Sequence, residues 1–201
     1  MRVRDQEIGS LADLIRLLPN DMPENTPVWF RGQTVAAWNL EPSLTRHGGI
    51  QAEMTLVKRF KQNALPLISD RPEGEWEWLF LMQHQGLPTR LLDWTESALV
   101  GLYFAVSGSS AEHDDEPGTL WALLPISLNQ QSKWQTEFDA DIPGFGEDED
   151  LDQYLPSKVE KQRITLPPIA AIALRNTPRM QMQQGVFTVS HRELSVRPGT
   201  L

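Results

Sequence analysis

Thirteen consecutive residues, Gln83-His84-Gln85-Gly86-Leu87-Pro88-Thr89-Arg90-Leu91-Leu92-Asp93-Trp94-Thr95, constrain this chain more than any other stretch. They bring amides, an imidazole, a guanidinium, a carboxylate, hydroxyls and an indole together between two apolar runs, one around Leu79-Phe80 and one from Ala98 to Ala105. Burying Arg, Asp and His together is costly unless each is paired or meets a ligand. The segment therefore demands either an internal ion-pair network or a binding site. Its local signals are also clear. Gly86 suits the end of a helix, Pro88 forces an extended path through Thr89-Arg90-Leu91-Leu92, and Thr95 is a good N-cap for a core helix from Glu96 to Ser107.

The rest of the chain supplies the frame. Ser10 and Asp13, with Leu11, Leu14, Ile15, Leu17 and Leu18, predict a capped amphipathic helix ending near Pro19-Asn20. Pro27 to Gln33 reads as a short strand ending Arg31-Gly32-Gln33. Gln51 to Ala64 predicts a helix with Leu56, Val57, Phe60 and Ala64 on one face, and Glu75 to Gln85 a second, Trp-rich and largely buried one. Strands are expected at Gly118–Leu124, Pro168–Leu174 and Gly185–Val189. Residues 127–163, with Glu147-Asp148-Glu149-Asp150, are acidic and aperiodic and predict a long excursion suited to a lid or a partner-specific insert. The expectation is one α+β domain over 1–201, with a core of about 25–190 and helices packed on a mixed or antiparallel split sheet.

Composition sets limits on function. The net charge of −9 argues against generic binding to nucleic-acid backbones. No apolar run approaches membrane-spanning length, and the absence of Cys removes disulfides and thiolate metal sites, so a cytoplasmic protein is expected. His47, His84, His113 and His191 show no metal-ligand spacing, and metal is discounted. No P-loop, Gly-x-Gly-x-x-Gly or Gly-x-Ser-x-Gly device occurs.

Within these limits Arg31 leads the chemistry. A guanidinium at the end of a buried strand, followed by glycine, suits an anchored phosphate or carboxylate, and equally suits an ion pair with Asp93. Arg90 and Asp93 lie three apart and point to opposite faces of an extended segment, so each needs another partner. His84 is the most versatile acid–base group of the segment, against the simpler role of a helix-terminal imidazole.

Trp29-Phe30-Arg31-Gly32-Gln33, then Pro42-Ser43-Leu44 and Arg46, then Gln83-His84-x-Gly86 to Thr95, resemble the FRG domain. Tyr103-Phe104-Ala105, Gly118-x-Leu120-Trp121 and Gln183-Gln184-Gly185-x-Phe187-Thr188 fit it too, over roughly 25–190. The order of an Arg-Gly strand, a Ser/Thr strand before an Ala-x-x-Phe-Ala-type helix, and a Glu/Gln strand is similar to the ADP-ribosyltransferase layout. That resemblance implies NAD as cofactor and ADP-ribosyl transfer to a macromolecular acceptor, or NAD hydrolysis, in toxin-like or bacterial phage-defence settings. Arg31 would hold the NAD phosphates, Thr95 or Asp93 would brace the ribose, and Gln183 or Gln184 would stand where the catalytic glutamate lies. The nucleotide-binding set on this reading is Arg31, Gly32, Gln33, Thr89, Arg90 and Trp94. Because glutamine cannot act as a general base, either Asp93 supplies the carboxylate or the cleft serves as a non-catalytic nucleotide- or protein-binding module.

Overall fold

A computed structural model describes residues 6–21, 25–107, 116–133, 142–173 and 184–192. Helix α1, Leu11–Asp21, starts as its sequence dictates. The Ser10 Oγ accepts from the Asp13 amide at 3.2 Å and donates to the Asp13 carboxylate at 2.7 Å. Strand β1 is Trp29–Gln33, and a 3-10 turn, Ser43–His47, leads into α2, Gly49–Ala64, and α3, Glu75–His84. Strand β2, Leu91–Thr95, is followed by α4, Ala98–Val106, and β3, Thr119–Leu123. Helix α5, Pro125–Gln131, a 3-10 turn Glu149–Tyr154, and α6, Pro156–Val159, precede β4, Ile169–Ala171, and β5, Gly185–Val189. The five strands form one antiparallel sheet in the order β3-β1-β2-β5-β4, so the fold is α+β.

Each face of the sheet carries a hydrophobic core, and strand alternation sorts side chains between the two. Leu91, Ile169, Ala171, Phe187 and Val189 join Val57, Trp76, Leu79 and Met82 of α2 and α3 on one face. Trp29, Leu92, Trp94, Leu123, Ala170 and Val186 face the other side with Leu128 of α5. β1 and β2 are joined at a single register pair, Phe30 with Thr95, whereas β1 pairs with β3 at five positions. The seam between β1 and β2 is therefore the narrow point of the sheet.

Three expectations need correction. Thr95 is not the N-cap of α4. It ends β2, and Ser97 is the cap, accepting from the Val100 amide at 3.4 Å, while the Thr95 hydroxyl accepts from the Ser97 amide at 3.1 Å. Helix α4 is also not buried all round. It meets β1 through its two smallest side-facing residues, Gly101 and Ala105, and leaves Leu99, Tyr103 and Val106 exposed. Finally, the acidic stretch is no excursion where it is described. Phe145, Leu151, Tyr154, Leu155 and Val159 are buried, and the first four complete the core under α3. Carboxylates on both sides tie it down further: Asp152 of the stretch accepts from the Trp76 indole at 2.9 Å, and Glu75 of α3 accepts from both the amide and the hydroxyl of Ser157.

Candidate functional site

Helix α3 covers Leu91 but ends at His84, and α4 lies over β1 at Gly32. Between them the sheet face is open. The alternation that buries Leu91 places Asp93 and Thr95 in this gap, beside their register partners Phe187 and Gly185 of β5. The result is a cleft of about 1210 Å³, lined by Phe30, Phe80, Phe104, Phe187 and Trp38 and also by Arg31, Asp93 and Thr95. It exceeds the roughly 300–1,000 Å³ usual for small-molecule sites.

Arg31 and Asp93 meet across the narrow seam, but not as the carboxylate ion pair the sequence allowed. The Arg31 Nη1 donates to the backbone carbonyl of Asp93 at 2.8 Å, and the Arg31 Nε is buried with no acceptor among the described residues. Burial holds the Arg31 guanidinium below its ordinary range. The Asp93 charge opposes that shift, and Arg46 adds to it. The Asp93 carboxylate is itself exposed to the cleft and positioned from one side. Gln83 Nε2 donates to its Oδ2 at 2.6 Å, the Thr89 hydroxyl donates to the Gln83 Oε1, and the Leu91 amide donates to the Thr89 Oγ1 at 3.2 Å.

Other expected residues fall into three places. Gly32, Gln33, Thr95 and exposed His84 line the cleft, as does Trp94. Gln33 has both ends of its amide engaged, with Asn39 O at 3.2 Å and the Trp121 indole at 2.6 Å. The Trp94 indole donates to Thr188 at 3.0 Å inside the second core, so its ring faces away from any ligand. Gly32 does permit a close backbone approach, but the neighbour is α4: a Cβ there would lie 2.0 Å from Gly101 O.

Arg90 and Thr89 must be withdrawn as ligand-binding residues. Both are fully buried and neither lines the cleft. The Arg90 Nε donates to both Glu53 oxygens at 2.9 and 3.1 Å, its Nη2 binds Glu53, and its Nη1 reaches Ser190 O and His191 O at 3.2 Å each. The sequence demanded a partner for Arg90, and that partner is Glu53 of α2. Beside it, burial and then the Arg90 and Arg192 charges push the His191 imidazole down to about 4, so it stays neutral near pH 7. Its Nδ1 accepts from the Leu166 amide at 3.3 Å, which leaves Nε2 as the donor toward Gln162 Oε1 at 3.0 Å.

Gln183 lies outside the described residues. Its neighbour Gln184 is exposed, with φ of 47°, and enters β5 beside the cleft; its carbonyl accepts from the Glu96 amide at 3.3 Å. Two cleft residues were not singled out as site residues from the sequence. Gln83 positions Asp93, and Arg46 lies on the 3-10 turn that the Leu44 amide and the Ser43 hydroxyl fasten to Thr89 at 3.2 and 3.4 Å. The Pro42-Ser43-Leu44-x-Arg46 spacing was the signal for the second. Among the described residues no cluster of His, Asp and Glu is arranged to hold a metal ion, and no helix is long and apolar enough to cross a membrane.

One protein-family model, that of the FRG domain, matches residues 26–115. The matched span takes in β1, the 3-10 turn with Arg46, α2, α3, β2 and α4, and so both facing walls of the cleft. The later elements of the resemblance, from Gly118 to Thr188, lie beyond it. No curated protein and no solved structure matches the chain.

Proposed function

We propose that this FRG-domain protein takes an NAD-type dinucleotide into the cleft and breaks its nicotinamide–ribose bond, passing ADP-ribose to a macromolecular acceptor or to water. The observation that carries this reading is the meeting of Arg31 and Asp93 at the cleft, one offering a buried donor with no acceptor among the described residues and the other an exposed carboxylate bonded to Gln83. In the reaction the C1′–N bond breaks and nicotinamide leaves with the electron pair. The ribose passes through an oxocarbenium-like state, as in glycoside cleavage. Arg31 anchors phosphate, and the Asp93 carboxylate offsets the positive charge at C1′ and takes the proton of the attacking nucleophile. Thr95, two residues along on the same strand face, braces the ribose, and His84 stands at the rim. Asp93 thus supplies the carboxylate that a glutamine at 183 or 184 cannot. The setting we propose is the bacterial cytoplasm, in a toxin or phage-defence context, where NAD is the accessible substrate.

Incubation of the protein with labelled NAD, with free nicotinamide and acceptor label both measured, tests this. Wild type is expected to release nicotinamide, and Asp93→Asn, which keeps the shape and a Gln83 contact, to lower the rate by roughly 10²–10³-fold with little change in KM. No release by wild type sinks the enzymatic reading. NAD binding without release leaves the cleft as a nucleotide-binding module.

A further inference from the structure

We propose that Arg31 and Arg46 form a two-guanidinium clamp for a diphosphate, which makes the ligand class of the cleft the nucleoside diphosphate group rather than a nucleoside or a monophosphate. The inference deepens the reading above and rests on it for the choice of ligand family, while its own support is separate. Among the described residues Arg31 donates one hydrogen bond, to Asp93 O, and keeps a buried Nε without an acceptor. Arg46 lines the same cleft and has no hydrogen-bond or ion-pair partner among the described residues. The two are close enough for the charge on Arg46 to act on Arg31.

The cleft lining holds Arg31, Arg46 and Arg71 alongside Glu41, Asp70, Glu77 and Asp93, and among the described residues none of them forms a close ion pair. Neither described salt bridge, Arg16 with Asp13 or Arg90 with Glu53, involves a cleft arginine. Three of the four cleft carboxylates instead take neutral donors: Glu41 from Asn39, Glu77 from the Glu73 amide, Asp93 from Gln83. Arg31 and Arg46 thus line one cleft without a close carboxylate partner among the described residues, in a chain whose net charge is −9. Fixing Arg46 there is the work of the anchored turn, since Leu44 is fully buried and bonded to Thr89, the segment that leads directly into β2. A planar guanidinium matches a pair of oxygens, so two of them on one cleft match two linked phosphoryl groups better than one. A cleft of about 1210 Å³ leaves room for nucleoside on either side of that clamp.

Calorimetric titration with inorganic pyrophosphate and with inorganic phosphate tests the clamp without any nucleoside. Wild type is expected to bind pyrophosphate at least about tenfold tighter than phosphate, and Arg46→Ala to erase that preference, as the loss of one charge-assisted contact implies. Arg46→Lys, which keeps the charge but not the fork, should fall between them. Arg46 is exposed, so these variants are expected to fold, and unchanged melting curves verify it. Equal affinity for the two anions in wild type, or an undiminished preference in Arg46→Ala, overturns the proposal. An Arg46-dependent pyrophosphate preference without nicotinamide release from NAD would keep the clamp and discard the transferase. Nicotinamide release with no Arg46-dependent preference would do the reverse.

Discussion

Glu53→Ala is expected to destabilise the protein by about 3–5 kcal/mol, a large part of the roughly 5–15 kcal/mol that holds a domain folded. Glu53 is 1% exposed and, among the described residues, is the only carboxylate on Arg90, itself 0% exposed. Alanine would leave a buried guanidinium with two backbone carbonyls and no counter-charge. The effect would not stay local, because Arg90 joins α2 to the segment after β5 and immediately precedes β2. Urea unfolding measures it, and Glu53→Gln, which keeps one acceptor oxygen, should fall between wild type and alanine. A loss below about 1 kcal/mol would place Arg90 among solvated ion pairs instead, where contributions are that small.

Gly32→Ala is expected to cost at least as much as the upper end of ordinary overpacking, about 3 kcal/mol. A Cβ at Gly32 would lie 2.0 Å from Gly101 O, 2.4 Å from Ala105 N and 2.9 Å from Phe104 C. All three are backbone atoms, so α4 would have to lift from β1 rather than rotate a side chain. Gly101→Ala makes the useful comparison: its nearest atom is the Leu120 Cδ1 at 2.8 Å, the end of a flexible side chain that can give way, with the backbone-fixed Phe30 Cβ less close at 3.0 Å. Thermal melts should rank Gly32→Ala well below Gly101→Ala. Equal melting temperatures would mean that helix and strand are not locked together at Gly32. The glycine of the Phe-Arg-Gly motif thus sets how closely α4 approaches β1 beside the cleft.

How much the sequence revealed follows from the physics of each signal. Strands β1, β2, β3 and β5 and helices α2 and α3 carry strong periodicity or apolar runs bounded by Gly or Pro, and they fold close to where those signals put them. Residues 142–163 hid their core role because a 3-10 turn and a four-residue helix are too short to show a period, though Leu151, Tyr154, Leu155 and Val159 are buried there. Glu53 was legible in principle. It lies four residues before Val57 on the apolar face of α2, where a charge needs a buried partner. At the site, strand alternation correctly separated Asp93 from Arg90, but it could not tell which of the two faced solvent. Long-range pairing decided that, since the Arg90 partner is 37 residues away. Arg46 was visible only as part of a motif, because its meaning depends on a turn folding back onto Thr89.

The central claim is that the unused Arg31 Nε–H is the anchor for a phosphorylated ligand. It is tested most directly by following that group, in protein carrying nitrogen-labelled arginine, by NMR during titration with ADP-ribose, with Arg31→Lys fixing the assignment. The account predicts that the Arg31 Nε–H signal moves in step with saturation and becomes protected from exchange with solvent. Saturation with that signal unmoved, or no binding of ADP-ribose at all, would contradict it.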